Sequence, residues 1–304
     1  MKLPLAEINR IVGENNLCIE PMSRHTSFHI GGDCAVASPD SIESAQRLLK
    51  FVRGNEIPYF VLGNGTNVLC ADGGWDGLVI KTKNLSRIEV SDNRVVAGGG
   101  AILSRVATAA AAKGLSGLEF AHGIPGTVGG GVAMNAGAYG GEMCSCVVRS
   151  ECLLPNGELL TLWDGDHKFA YRKSAVTEIP GTLVLETELK LDFGNREEIE
   201  EKMRDLASRR RASQPLELPS AGSVFKRPEG HFVGAMVQEC GLKGRTVGGA
   251  QVSPKHAGFI VNVGGATAKD VLELIEIVRA EVFARFGVEL ECEIRPLGLG
   301  REEI

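Results

Sequence analysis

Helical and strand periods alternate along this chain. Residues 38–54 (SPDSIESAQRLLKFVRG) place Ile42, Ala45, Leu49 and Val52 at helical spacing, with Asp40 or Ser41 as cap and Gly54 as stop. Tyr59-Phe60-Val61-Leu62 reads as a buried strand, and Leu78-Val79-Ile80 and Arg94-Val95-Val96-Ala97 as further strands. An alanine-rich helix is predicted from Leu103 to Lys113, stopped by Gly114. From Gly123 to Gly141 the chain is too rich in glycine to predict a regular element, and short strands return over 146–162 and 181–193.

A charged helix over 196–212 ends in Arg209-Arg210-Arg211 ahead of Gln214-Pro215 and Pro219, which makes this stretch the best domain boundary. In the smaller α/β unit beyond it, Thr267-x-x-Asp270 has the form of a capping box. Val271, Leu274, Ile275, Val278 and Val282 form the apolar stripe of the helix it opens, and Gly287 ends it. A last strand is predicted from strict alternation, with Val288, Leu290, Cys292 and Ile294 inward and Glu289, Glu291, Glu293 and Arg295 on the other face.

The 304 residues are 43% hydrophobic and 23% charged, ordinary for a globular chain with a sizeable core. No apolar run approaches the roughly 18 residues of a membrane span. The start, Met1-Lys2-Leu3-Pro4-Leu5-Ala6-Glu7, has no apolar signal region, so a cytoplasmic location is expected. Against 33 Lys and Arg stand 38 Asp and Glu, a net charge of −5 that argues against general nucleic-acid binding. The eight cysteines contain one close pair, Cys144-x-Cys146, and no second pair to complete a zinc set, so reduced and mostly buried thiols are expected and no metal site. Glycine is the outlier at 39 residues, and it clusters.

Gly63-Asn64-Gly65-Thr66-Asn67 follows a strand but lacks the third glycine of the dinucleotide fingerprint, since Val68 stands there; a phosphate loop ending Gly-Lys-Ser/Thr is absent. A second loop, Gly123-Ile124-Pro125-Gly126-Thr127-Val128-Gly129-Gly130-Gly131, changes the picture. Glycine lets backbone N–H groups approach a pyrophosphate and form an anion-binding nest. Two such loops beside Asn64, Asn67, Thr127 and Asn135 fit a nucleotide cofactor.

Several segments together carry a resemblance. They are Thr26-Ser27-Phe28-His29-Ile30-Gly31-Gly32, VLGNGTNVL (61–69), GIPGTVGGGVAMNAGAYG (123–140), Phe169-Ala170-Tyr171-Arg172-Lys173-Ser174, PSAGSVFKRP (219–228), Gly241-Leu242-Lys243-Gly244, VSPKHAGFIVN (252–262) and Glu293-Ile294-Arg295. In this order, over residues 20 to 297, they resemble the UDP-N-acetylenolpyruvoylglucosamine reductase family, in its shorter type without an extra loop over the substrate. The resemblance implies a mixed α/β (α+β) fold: a p-cresol methylhydroxylase-type FAD-binding domain over 1–205, divided into two subdomains near 80, and a substrate-binding domain over 206–304. Asn64 and Thr66 replace the glycine and serine common in the family's first loop, and Asn64 is expected at a left-handed backbone position. His122 and Gly131 stand where other small residues are frequent.

The activity implied is reduction of UDP-N-acetylglucosamine enolpyruvate to UDP-N-acetylmuramate, a step of peptidoglycan synthesis, with non-covalent FAD and with NADPH as co-substrate, by a monomer. The resemblance makes Arg172, Ser223 and Glu293 catalytic. Arg172 has a donor fork suited to a carboxylate, Ser223 is the proton donor, and Glu293 assists the enolate. The alternation alone fits a solvated acidic face for Glu293 equally well. The residues expected to hold FAD are Gly63, Asn64, Gly65, Thr66, Asn67, Gly123, Ile124, Pro125, Gly126, Thr127, Gly130, Asn135, Gly137 and Arg210; those expected on the substrate are Tyr171, Gly222, Lys226, His256 and Asn262. An oxidase of the same flavin fold and a non-catalytic nucleotide-sugar binding protein are the alternatives.

Overall fold

The computed structural model describes residues 3–300, which divide into two compact units. One comprises the N-terminal residues through Cys18, Ala35–Asn64 and Gly77–Arg210; the other comprises Ile19–Cys34, Gly65–Asp76 and the chain from Arg211 onward. The sequence suggests a single cut near 205/206, but two N-terminal segments carrying the Thr26–Gly32 motif and most of the first glycine loop pack with the C-terminal part instead.

The first unit has two cores. Strands Asp33–Ala37, Leu78–Lys81 and Tyr59–Leu62 lie parallel, in the register Ala35↔Leu78 and Tyr59↔Leu78, with Leu17–Pro21 on the outer edge. Helix Ile42–Gly54 is held at its start by a capping box between Ser41 and Ser44, and its Ala45, Leu48, Leu49 and Val52 join Leu78 and Ile80 in the core. Burying Leu48, Leu49 and Val52 against this aliphatic sheet stabilises by about 1.5–3 kcal/mol each.

A five-stranded antiparallel sheet forms the second core, in the order Leu159–Trp163, Val147–Leu153, Leu183–Lys190, Arg94–Gly98, Ile88–Ser91. Helix Leu103–Ala112 packs its Val106, Ala107, Ala110 and Ala111 into the same cluster, and Gly114 turns the chain with φ +69° just after it. Helix Arg196–Ser213 closes this unit's C-terminal part, burying only Ile199 and Met203.

Two expectations fail here. The glycine-rich stretch contains a helix, Val128–Ala133, capped by Thr127 Oγ1, and a small hairpin of Gly137–Ala138 with Gly141–Glu142. The glycines do not prevent the helix; they let it sit against the chain behind it, since a Cβ on Gly129 would lie 2.9 Å from the Gly99 carbonyl oxygen.

In the second unit, Ser220–Ser223, Phe259–Asn262, Ala250–Val252 and Thr246–Val247 form an antiparallel sheet. Helix Ala268–Phe286 covers it, with the expected capping box between Thr267 and Asp270 and Gly287 left-handed at its end. The second failed expectation is the final strand. Residues 288–294 alternate in burial for the most part as predicted and bend at Ile294, but the regular strand here is Arg295–Leu297, parallel to Val68–Cys70. The preceding stretch lies instead along 224–226, with a lone bridge between Phe225 and Cys292. All eight cysteines are free thiols, and Cys34, Cys70, Cys146 and Cys152 are buried. Among the described residues, no helix is long and apolar enough to cross a membrane.

Candidate active site

In the first unit the two glycine loops meet. Asn64 Nδ2 donates to the Pro125 carbonyl at 2.6 Å, and a Cβ on Gly63 would lie 2.4 Å from Thr127 Oγ1. Asn64 is exposed and does not take the expected left-handed conformation; that position is Gly65, with φ +68°. The side chain of Asn64 therefore acts as a strut between loops.

Part of the second loop's donor capacity is spent on the fold. The N–H groups of Val128, Gly129 and Gly131 donate to the carbonyls of Ala101, Gly99 and Thr127, and that of Gly130 donates to Thr127 Oγ1. Ile124 N–H donates to Ala121, and the Gly126 carbonyl accepts from Leu103. The N–H groups of Gly123, Gly126 and Thr127 make no such bond among the described residues, so they are the donors left for a ligand.

Unmet hydrogen-bonding capacity lies beside it. His122 Nδ1 and Arg210 Nε are buried with no partner in the protein. The Arg210 side chain lies along Gly123, where a Cβ would be 3.1 Å from its Cδ. Burial pulls the Arg210 guanidinium below the ordinary arginine pKa, the mark of a cation lacking its counter-charge. An orphaned buried polar atom is costly unless a ligand supplies the missing partner.

Asn135 is buried in a left-handed conformation (φ +40°). Its Nδ2 donates to Glu142 Oε2 (3.0 Å) and to the Ala170 carbonyl (3.3 Å), and its Oδ1 accepts from Cys144 N–H (3.0 Å). Both amide hydrogens are spent within the protein, so the carboxamide has no donor left for the cofactor contact expected of it. Gly137 pairs with Glu142 in the small hairpin. Nothing in the spacing of Glu142 marks it out, and sequence reasoning missed it, as it missed His122.

Tyr171 and Arg172 occupy the tip of a tight turn closed by reciprocal backbone bonds between Ala170 and Lys173 (3.0 and 3.1 Å). Arg172 is left-handed (φ +55°), and its guanidinium carbon lies 4.9 Å from the centre of the Tyr171 ring.

The second unit gathers another group. Ser27 donates its hydroxyl to the Ser220 carbonyl (2.6 Å) and its N–H to Gly65 (3.0 Å), joining the first loop to the strand that ends in Ser223. Ser223 is exposed just after an irregularity in the pairing with Phe259–Asn262, and Gly222 (φ +79°) has Thr66 O at contact distance. Glu293 N–H donates to the Val224 carbonyl (2.8 Å), while Asn67 Nδ2 donates to the Glu293 carbonyl (3.0 Å). Ser223, Glu293, Thr66 and Asn67 are thus one neighbourhood.

Lys226 is ion-paired with Glu291. His256 lies edge-on to Phe259, at 4.9 Å between ring centres, and its Nδ1 accepts from Gly258 N–H (3.2 Å). Burial holds the imidazole below its ordinary pKa, so it is neutral at pH 7. Asn262 is buried and structural: Nδ2 donates to the Phe28 carbonyl, and Oδ1 accepts from Gly264 and Ala266. Its oxygen is committed to a turn and one amide hydrogen to Phe28.

Residues 34–162 match the FAD binding domain family, and residues 214–297 match the UDP-N-acetylenolpyruvoylglucosamine reductase C-terminal domain. The UDP-N-acetylenolpyruvoylglucosamine reductase of Clostridium tetani is 46% identical over 292 residues, 96% of this chain and 95% of that one. This chain belongs to the UDP-N-acetylenolpyruvoylglucosamine reductase family. The family member of Alkaliphilus oremlandii is 47% identical over 281 residues, 92% of each chain. The crystal structure of UDP-N-acetylenolpyruvylglucosamine reductase from Thermus caldophilus is 35% identical with a TM-score of 0.79, covering 92% of this chain and 99% of that one. FAD is the cofactor of such a reductase, and the residues here fit it: the orphaned His122 and Arg210 atoms flank a loop of the matched FAD-binding region.

Proposed function

We propose that this protein reduces the enolpyruvyl ether of UDP-N-acetylglucosamine to UDP-N-acetylmuramate, with FAD and NADPH, as a cytoplasmic monomer in peptidoglycan synthesis. The observation that carries the reading is the near-full-length identity to reductases of this activity, with both family domains in order. In this reading residues 1–205 hold the cofactor in two subdomains, and residues 206–304 bind the nucleotide-sugar.

Bound FAD would supply the hydride-transfer chemistry that links NADPH to the alkene carbon C3 of the substrate. The chain's own residues do the rest. Gly63 and Asn64 with Gly123–Thr127 form the cradle, and Arg210 and His122 supply the polar contacts. The Arg172 fork holds the pyruvyl carboxylate as negative charge builds on it. Ser223 Oγ delivers the proton to C2, a role a weakly acidic hydroxyl performs only when neighbours stabilise the oxyanion it leaves. Glu293 faces the same enolate. Lys226 serves the pyrophosphate as a point charge, exchanging its pairing with Glu291 for the substrate, and Tyr171, Gly222 and His256 line the substrate side.

The test is spectroscopic. Purified protein should be yellow and release flavin on denaturation, NADPH should bleach it anaerobically, and the enolpyruvyl substrate should restore the colour. Restoration by oxygen alone would make it an oxidase. Binding of the nucleotide-sugar without any colour change would make it a binding protein.

A further inference from the structure

Arg172 adopts a backbone conformation (φ +55°) that bulky residues rarely take, at the tip of a turn only two residues long. Such a conformation persists only where the surroundings over-determine it. Here the surroundings are identifiable. The Ala170 carbonyl that closes the turn also accepts from Asn135 Nδ2, and Ser174 Oγ, just past the turn, donates to the Ala133 carbonyl at 3.0 Å. On the preceding side Phe169 stacks on the buried His167 ring, with centres 4.9 Å apart and planes within 6°.

Asn135 is the member of this set whose own position is fixed from three directions. Glu142 takes one amide hydrogen, Ala170 the other, and Cys144 N–H reaches the oxygen. Its left-handed backbone is one that asparagine tolerates better than most residues, so the carboxamide is delivered at modest conformational cost. It stands one residue past Met134, the C-cap of the helix Val128–Ala133 of the second glycine loop.

We propose that Asn135 is a positioning residue for Arg172: its carboxamide fixes the carbonyl at the base of the Arg172 turn and ties the aim of the guanidinium to the end of the glycine loop. The inference rests on the reading above, in which Arg172 holds the substrate carboxylate, and deepens it. Asn135 touches neither substrate nor cofactor in this role. Its loss should therefore spare flavin binding and reduction by NADPH, and should slow the step that needs the carboxylate held.

The experiment compares Asn135→Gly, which keeps the left-handed backbone and removes the carboxamide, with Asn135→Asp, which keeps the shape and replaces the donor by an oxygen facing Glu142. Rapid mixing separates the two half-reactions. Flavin content should match the parent and reduction by NADPH should stay within about 3-fold. Oxidation of the reduced enzyme by the enolpyruvyl substrate should slow by about 10²-fold, the scale of a displacement near 1 Å. The discriminating readout is a double-mutant cycle. In an Arg172→Ala background Asn135→Gly should add no further slowing, because the group it aims is gone. Additive slowing, or equal slowing of both half-reactions, would overturn the proposal by showing a general structural role. If Asn135→Gly does not fold, Asn135→Asp answers the same cycle. A parent enzyme that the enolpyruvyl substrate fails to oxidise would overturn the functional reading and this inference with it; an active parent with unaffected variants would overturn the inference alone.

Discussion

Asn67 holds the chain that leaves Glu293: its side chain donates to the Glu293 carbonyl at 3.0 Å, and its own carbonyl accepts from Arg295 N–H at 2.9 Å. A loop residue of the first glycine cluster thereby fixes the backbone after this acid, and the Val224 carbonyl, accepting from Glu293 N–H, fixes it before. Of the other two acids of the alternating series, Glu291 is tied to Lys226 alone, through its carbonyl and its carboxylate. Glu289 and Glu291 are exposed, whereas Glu293 is half-buried next to the backbone of Val224. The three lie on one side of an extended segment, but one of them is built in.

That asymmetry makes a comparison of single variants informative. Glu293→Gln should cripple oxidation of the reduced enzyme by substrate, by about 10²–10⁴-fold if it supports proton delivery or enolate stabilisation. Glu289→Gln should leave both half-reactions within about 2-fold, the spread of neutral surface changes. Glu291→Gln removes the partner of Lys226 and should change the KM for the nucleotide-sugar without changing kcat. Three similar kcat values in one assay would return Glu293 to the solvent.

How much of this is legible in the sequence depends on what kind of interaction fixes each part. The helices Ile42–Gly54 and Ala268–Phe286 can be read because apolar period and caps are local properties. The segment 288–294 keeps its predicted alternation yet is not a sheet strand, because alternation reports burial and not the presence of partners on both sides. The second glycine loop reads as a nest for an anion throughout, whereas the N–H groups of Val128, Gly129 and Gly131 are spent on Ala101, Gly99 and Thr127; which carbonyls approach a glycine is decided by distant chain. The same holds for Asn135 and Asn262, polar residues in a motif whose carboxamides turn inward to hold backbone. His122 stands out in the sequence only as a departure from the family's pattern, and its significance is an unmet hydrogen bond, which no sequence displays.

The contact between Gly63 and Thr127 gives a second test. A Cβ at Gly63 would lie 2.4 Å from Thr127 Oγ1, the atom that caps the helix Val128–Ala133. Gly63→Ala should push the hydroxyl off the cap, costing about 1–3 kcal/mol of stability for the overpacking, and should leave the purified protein poor in flavin. Removing the obstructing hydroxyl restores the space at the expense of the cap, worth about 1 kcal/mol. The Gly63→Ala/Thr127→Ala protein should accordingly hold more flavin than Gly63→Ala alone. Flavin content measured by absorbance decides this, and full occupancy in Gly63→Ala would remove Gly63 from the cradle.

Ser223 and Arg172 are separable by chemistry. Ser223→Ala should leave reduction by NADPH nearly intact and slow oxidation by substrate by about 10²–10⁴-fold. Arg172→Lys keeps the charge but loses the planar fork, so it should also impair the substrate step, with KM rising as the carboxylate loses its two-point contact. Near-parental turnover in Arg172→Lys would mean that charge alone suffices at that turn.

The last prediction concerns the approach to the second glycine loop, where Glu119 is buried at 4% exposure. Burial pushes its carboxyl up, but hydrogen bonds from Ser116 Oγ (2.6 Å) and from Gly117 N–H (3.0 Å), with Lys202 Nζ at 3.6 Å, outweigh this and hold the pKa below the ordinary glutamate value. A carboxyl depressed in the folded state stabilises fully above its unfolded pKa of about 4.3 and loses that contribution as pH falls through the folded value. Glu119→Gln should therefore be less stable than the parent at pH 7, by about 1.5–3 kcal/mol for charged hydrogen bonds in a buried setting. The gap should narrow as pH falls below about 4.3 and should close only below the depressed folded value, where the parent carboxyl is itself protonated. Lys202 is largely exposed, so Lys202→Met should cost no more than about 1 kcal/mol and should show little of this pH dependence. Denaturant melts of the three proteins at several pH values measure both effects. Because Glu119 stands three residues before His122, flavin retention should fall in Glu119→Gln alongside stability at neutral pH. A gap that persisted unchanged into acid would mean that the Glu119→Gln protein fails through packing and that the ionised carboxylate is not what holds the loop's approach in place.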